Sequence, residues 1–129
     1  MSIPVSVVVL AQNSAATLDR ALASVRAFDE VVVVDGGSID ATASIAAEYP
    51  NVVWRPHPFR GFAEQRNFAL RQASHPWCLV LDSDETATPE LVEGIASRRG
   101  EGARTPLEYV MRTAWFMGQE LDSGGARSA

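Results

Sequence analysis

Four short, almost purely apolar runs punctuate the chain: Ile3 to Leu10, Val31 to Val34, Val52 to Trp54 and Trp77 to Leu81. Runs this short and without polar alternation suit strands covered on both faces, as in the interior of a parallel sheet. Pro4 is tolerated because it falls at the start of the first run. Between the runs, apolar positions recur at helical spacing. Leu18, Ala21, Leu22 and Val25 follow the first run, with Asn13 or Ser14 as the expected cap. Thr42, Ile45, Ala46 and Tyr49 follow the second, and Pro50-Asn51 close that helix. Gly61 to Ser74 predicts a third helix with Phe62, Ala69, Leu70 and Ala73 as its inward stripe. Thr88 as cap and Pro89 at the first helical position open a fourth, to about Ser97. From Glu108 to Met117, alternation of Tyr109, Met111, Thr113 and Trp115 predicts a last strand. The small, polar residues from Leu121 onward predict a disordered tail. One domain over residues 1–118, with a tail over 119–129, accounts for the pattern.

Strand and helix alternating four times argues for an α/β fold, a mostly parallel sheet with helices on both faces. Such sheets bind ligands outside the carboxyl ends of their strands. The polar residues of interest fall at those ends: Ala11-Gln12-Asn13-Ser14 after the first strand, Asp35-Gly36-Gly37-Ser38 after the second, and Asp82-Ser83-Asp84-Glu85 after the fourth.

Composition narrows the classes. At 129 residues there is room for one domain and a core. A net charge of -5 argues against nucleic acid as a partner, since that binding rests on basic phosphate contacts. No apolar run is long enough to span a bilayer, and no basic segment precedes an apolar one at the start, as a signal peptide would require. The single cysteine, Cys78, sits inside an apolar run and reads as a core residue of a reducing compartment, so a cytoplasmic location is expected. All 11 basic residues are arginines.

Asp82 and Asp84, two positions apart, can present oxygen ligands side by side to a hard divalent cation, and thereby to a diphosphate; a solvated acidic turn would have the same sequence. Asp35, after four valines and before two glycines, can accept hydrogen bonds from a ring N–H or a ribose hydroxyl, or simply build a turn. Arg66 lies four after Phe62 and three before Ala69, on the predicted inward stripe, where an arginine needs an anionic partner. Its guanidinium would either make a structural ion pair or face a phosphate or site carboxylate. Gln65 and Asn67 flank it toward the same cleft edge. His57 and His75, each next to a proline, read as surface residues. Trp115 and Phe116 read as core. Gly-x-Gly-x-x-Gly, the dinucleotide fingerprint, is absent after either early strand.

Two families share the acidic motif. Asp82-Ser83-Asp84-Glu85-Thr86 resembles the Asp-x-Asp-x-Thr of haloacid-dehalogenase-like phosphatases, but those need a downstream lysine, and their motif follows the first strand. The same lack of lysine disfavours response-regulator receivers and P-loop enzymes. A nucleotidyltransferase would need a basic Gly-rich loop where Ala11-Gln12-Asn13-Ser14 stands. The chain is instead similar to family 2 glycosyltransferases, which have the Rossmann-like GT-A fold. Val7-Val8-Val9-Leu10-Ala11-Gln12-Asn13 resembles the opening strand and its Asn. Val33-Val34-Asp35-Gly36-Gly37-Ser38-Ile39-Asp40-Ala41-Thr42 resembles the Val-Val-Asp-(Asp/Ser)-Gly-Ser-x-Asp-x-Thr segment, and Gly61 to Leu70 the Gly…Gln-(Lys/Arg)-Asn-x-Ala-Leu segment. Asp82-Ser83-Asp84-Glu85 corresponds to the Asp-x-Asp motif. Asp-x-Asp-Glu, with Tyr109…Arg112…Phe116-x-Gly118, looks most like the bacterial branch that adds glucose or heptose to lipopolysaccharide core.

The resemblance implies a hexosyltransferase using a nucleotide-diphosphate sugar, by preference a UDP-sugar, with a glycan or glycolipid acceptor and peripheral contact at the inner membrane. Asp35 would recognise the base, with Ala11 and Asn13 beside it; Asp82 and Ser83 would contact the ribose or sugar; Arg66 would assist at the phosphates. Asp84 would bind Mn2+ or Mg2+ bridging the diphosphate and so carry the catalytic role. Family members run well beyond this length, however. Only 45 residues follow Asp84, and Glu108, Glu120 and Asp122 are candidates for a general base by type alone. A donor-binding fragment that lacks the acceptor half, inert or dependent on a partner, is the alternative expectation.

Overall fold

A computed structural model describes residues 2–101 and 115–118, the backbone alone for 98–101 and 115–118. The elements run β1 (Ile3–Ala11), α1 (Leu18–Ser24), β2 (Phe28–Asp35), α2 (Thr42–Ala46), β3 (Val52–Pro56), α3 (Phe62–Gln72), β4 (Trp77–Asp82), α4 (Pro89–Glu101) and β5 (Trp115–Gly118). They form one sheet in the order β3-β2-β1-β4-β5. The first four strands are parallel and β5 pairs antiparallel with β4.

The valine runs explain the layering. Val5, Val7 and Val9 of β1, with Val31 and Val33 of β2, bury into a core closed by Leu18, Ala21, Leu22 and Val25, by Ala46, and by Leu91 and Ile95. Val8, Val32 and Val34 point the other way and pack with Ala69, Phe68 and Leu70 of α3. Thus α1, α2 and α4 cover one face and α3 the other. The runs lack alternation because both faces are apolar. Thr88 Oγ1 accepts from Leu91 N–H at 3.1 Å, the predicted cap of α4. That helix continues to Glu101, past the expected end near Ser97. Of the predicted last strand, Trp115–Gly118 is strand; its earlier part and the predicted tail over 119–129 lie outside the described residues.

Two expectations are corrected. Neither Asn13 nor Ser14 caps α1, which starts after Thr17 without a side-chain cap; both are engaged with other loops instead. The inward face of α3 is only partly the one predicted: Ala69 and Leu70 pack on the sheet, but Phe62 is 70% exposed and Gln65, 2% exposed, is buried instead. The polar Gln65 occupies the inner position because its amide is hydrogen-bonded there, which hydrophobic periodicity cannot register. Arg66 is half-buried at the flank of that face.

At the amino end of the sheet, Glu30 is nearly buried and receives Ser6 Oγ at 2.6 Å, with Ser74 N–H and Oγ both at 2.9 Å. His75 is no free surface residue: its Nε2 lies 2.7 Å from Asp29, the one salt bridge among the described residues. Cys78 is buried as expected, and burial, with Glu30 adding to it, pushes its thiol up to about 12. Burial alone would raise the Glu30 carboxyl, but the bonds from Ser6 and Ser74 and the nearby His75 together hold it below its ordinary 4.5. A depressed carboxyl contributes stability above its ordinary value and loses it as pH falls through the lowered one. We therefore expect denaturant unfolding to show stability falling off below about pH 4.5. Glu30→Gln should cost about 1–3 kcal/mol at neutral pH and flatten that acid limb.

Candidate active site

The sheet register sets the geometry. Ala11 pairs with Asp35, and Leu10 with Asp82, so β2, β1 and β4 end level with one another. Strand order reverses on either side of β1, and the crevice at such a switch point is where open α/β sheets take ligands. The three loops expected to carry chemistry therefore meet at one edge.

They are tied there by polar side chains. Asn13, at φ 50, donates its N–H to Ser38 Oγ at 2.7 Å and accepts Ile39 N–H on Oδ1 at 2.9 Å. Ser14 N–H donates to Thr42 Oγ1 at 2.8 Å, and Ala15 N–H to Asp40 Oδ2 at 3.2 Å. Thr42 in turn donates its hydroxyl to Asp40. These bonds, that from Thr42 first, hold the exposed Asp40 carboxyl below the usual range against a small opposing desolvation. On the other side, Ser14 Oγ and Ser83 Oγ share a hydrogen bond of 2.9 Å, and Thr17 Oγ1 donates to Ser83 C=O at 2.8 Å. The loop after β1 is thus fastened to both neighbours. Ser14, Asp40 and Thr42 are the ties that the sequence did not single out. Their signal was the Asp-x-Thr spacing, an Asx-type pattern whose partners lie in another loop.

Asp35 is 6% exposed. Its Oδ2 accepts Gly37 N–H at 3.1 Å and Ser38 N–H at 2.8 Å, and its Oδ1 accepts the Ser38 hydroxyl. Most of its capacity is spent on its own turn, with one acceptor direction left on Oδ1. Ala11 is buried, and its C=O receives Gly36 N–H at 2.9 Å. A cleft of about 280 Å³ opens between these loops, lined by Leu10, Ala11, Gln12, Ser14, Phe59, Phe62, Gln65 and Ser83. A larger hollow of about 550 Å³ lies under the end of α3 beside Ser74 to Pro76; none of the acids after β2 or β4 reaches it.

A family model, Glycosyl transferase family 2, matches residues 6–103. The chain belongs to that family. It is 37% identical over 95 residues to the lipopolysaccharide core biosynthesis glycosyltransferase LpsC of Rhizobium meliloti (strain 1021), covering 70% of this chain and 35% of LpsC. Among solved structures it resembles TarS of S. aureus in complex with UDP-GlcNAc, at a TM-score of 0.68 and 31% identity over 76% of this chain and 31% of that one. It also resembles glucosyl-3-phosphoglycerate synthase from Mycobacterium tuberculosis in complex with Mn2+, UDP and glucosyl-3-phosphoglycerate, at a TM-score of 0.56 and 25% identity over 64% of this chain and 34% of that one. The fold is therefore the Rossmann-like GT-A fold of glycosyltransferases. The chain spans about a third of the length of these relatives.

In this family 2 chain the acidic loop is strongly shaped. Glu85 Oε1 accepts Asp82 N–H at 3.0 Å, and Glu85 N–H returns to Asp82 C=O at 3.0 Å. That reciprocal pair turns the chain sharply and leaves Asp82 and Asp84 at the surface of the crevice. Burial, then the charges of Glu85 and Asp84, raise the Asp82 carboxyl above its usual range, while Arg66 opposes. Arg66 is thus the cation that acts on the site acid, from beyond the 4 Å of an ion pair. Carboxylate oxygens are the right donors for a hard divalent cation, and like-charge crowding is what such a cation relieves. Among the described residues no group of three His, Cys, Asp or Glu side chains is placed to hold a metal ion by itself. A cation held by Asp82 and Asp84 would have to take its other oxygens from phosphate and water, the usual manner of Mg2+.

The crowding is a stability cost. An Asp with a raised folded-state value destabilises the fold as it ionises, so stability falls as pH rises through that window. Asp82→Asn should raise unfolding stability, by no more than about 0.5 kcal/mol in so exposed a place. The same substitution should weaken any Mn2+-dependent ligand binding. A thermal melt and a titration of one sample check both halves.

Proposed function

We propose that this chain is the donor half of a metal-assisted hexosyltransferase, taking a nucleotide-diphosphate sugar, a UDP-sugar by preference, and passing the sugar to a glycan or glycolipid acceptor. The observation that carries the reading is the convergence of Asp82 and Asp84 with the loops after β1 and β2 at the switch point of the sheet. The family membership supports it, as do relatives that bind UDP, UDP-GlcNAc and Mn2+.

In this reading Asp35 uses its one spare acceptor direction for the base, while Ala11 and Asn13 form the shelf beside it. Asp82 and Ser83 face the ribose and sugar. Ser83 is held by Ser14 and Thr17, so its loop is set before the donor arrives. Asp84 is the principal metal ligand. Mn2+ or Mg2+ bound there would offset the charge that builds on the leaving diphosphate. Arg66, whose charge already reaches Asp82, adds to that offset from the flank of α3. Transfer breaks the bond between the sugar's anomeric carbon and the phosphate oxygen and forms one to an acceptor oxygen, whose proton a general base removes. The candidates for that base, Glu108, Glu120 and Asp122, lie outside the described residues.

The acceptor in this reading is a lipopolysaccharide core glycan or glycolipid, reached by peripheral contact at the inner membrane; the likeness to LpsC supports the lipopolysaccharide part of it. Among the described residues no helix is long and apolar enough to cross a membrane. A second reading is favoured by one fact, that the chain spans only about a third of its relatives. It would then bind the donor and need a partner for transfer.

Calorimetry of UDP with and without Mn2+ decides the donor site. Binding should appear with Mn2+ and weaken by roughly a hundredfold in Asp84→Ala, the scale expected when a charged partner of a bound ligand is removed. Metal-independent binding, or an unchanged variant, would sink the metal reading. Slow UDP-sugar hydrolysis that disappears in the same variant separates a competent transferase half from an inert binder.

A further inference from the structure

The cleft has an aromatic wall, and one residue holds it. Phe59 and Phe62 are 41% and 70% exposed, and their rings meet edge to face at 4.9 Å and 73°. Two large apolar side chains left open at a polar cleft need a reason, since each forgoes the gain of burial. Phe59 stands on the short loop between β3 and α3, residues 57–61. Its Cβ lies close over Gly36, where an added Cβ would come within 3.2 Å of both Phe59 Cβ and Gln12 Oε1.

That loop is closed by Gln65. Its backbone N–H donates to Gly61 C=O at 3.0 Å. Its side-chain Nε2 donates to His57 C=O at 2.8 Å, and its Oε1 lies 2.9 Å from His57 Nδ1. A carbonyl oxygen can only accept, so the amide nitrogen must face His57 C=O and the amide oxygen must face the ring. His57 Nδ1 is therefore the protonated nitrogen of the neutral ring. His57 is further fixed by its N–H on Asp35 C=O at 2.8 Å and by its ring stacked on Phe68 at 3.8 Å and 17°. One end of the loop thus hangs on the buried side chain of Gln65 and the other on the backbone of the same residue.

We propose that Gln65 is a positioning residue that brackets the loop so that Phe59 and Phe62 present a stacking wall to the planar base of the nucleotide. The wall supplies the flat apolar surface that a base requires, while Gln12 offers an amide donor and acceptor at the same crease. This rests on the nucleotide-sugar reading of the cleft, and the test separates the two.

Long-range proton–nitrogen correlation spectra of the 129-residue chain report the tautomer of its two histidines without any ligand. We expect neutral His57 to carry its proton on Nδ1 in the native chain and to lose that preference in Gln65→Leu; a native Nε2–H tautomer overturns the bracket. UDP affinity with Mn2+ is then measured for Gln65→Leu, Phe59→Ala and the double variant. Loss of preorganisation should weaken Gln65→Leu about tenfold. Because Gln65 acts through the wall, the double variant should bind no more than about twofold worse than Phe59→Ala alone. Full affinity in Gln65→Leu, or losses that simply multiply, overturns the proposal. Should Gln65→Leu fail to fold by circular dichroism, Gln65→Glu replaces it, keeping the shape but losing the donor to His57 C=O. If the native chain binds no UDP, the donor reading fails, while the tautomer result still judges the bracket.

Discussion

Everything at the crevice depends on how β1 is held. It is the middle strand, paired in parallel on both sides and buried on both faces, and its register brings Ala11 level with Asp35 and Leu10 level with Asp82. A slip of one residue would turn Val7 and Val9 out of one core and Val8 out of the other, so the apolar pattern enforces the register strongly. That same register decides which polar residues become neighbours. The site is a consequence of the core, with no separate device needed to assemble it.

Hydrogen bonds then convert neighbouring loops into a fixed surface. Asn13, Ser14, Ser38, Asp40 and Thr42 bond between the loops after β1 and β2, while Ser83 and Thr17 join the loop after β4. Each bond alone is worth about 1 kcal/mol or less net. Together they remove loop freedom that a ligand would otherwise have to freeze. Residues that look like ligand contacts in the sequence are in part scaffolding, and Asp35 is the clearest case: three of its acceptor directions stay within its own turn.

This explains how far the sequence could be read. The four parallel strands, the two-faced layering and the clustering of acids at strand ends were legible, because burial leaves valine runs and strand ends leave acids beside turn residues. The cap of α1 was not, because Asn13 and Ser14 find partners 25 or more residues away, and tertiary bonds override a local preference. The face of α3 was only partly legible for a related reason: Ala69 and Leu70 pack as expected, Phe62 does not. Its inner positions are Gln65 and Ala69, one satisfied by His57 and the other small enough to let the helix approach the sheet, so little contrast separates inside from outside. The charge of Arg66 reaches Asp82 although Phe62, one of the residues that placed it inward, faces out.

The acidic loop finally stands apart from the rest of the fold. Several carboxylates elsewhere have partners: Glu30 in Ser6 and Ser74, Asp40 in Thr42, Asp29 in His75. At Asp82 three carboxylates crowd within four positions, with only Arg66 opposing them from a distance. Glu85 repays part of this by bonding Asp82 N–H, but Asp82 and Asp84 lower stability, which is the usual mark of residues arranged for something outside the protein. An anionic diphosphate cannot settle against those acids unless a cation joins them. In the proposed reading, the acid cluster and the scarcity of close basic partners are one arrangement, by which donor and metal would each depend on the other.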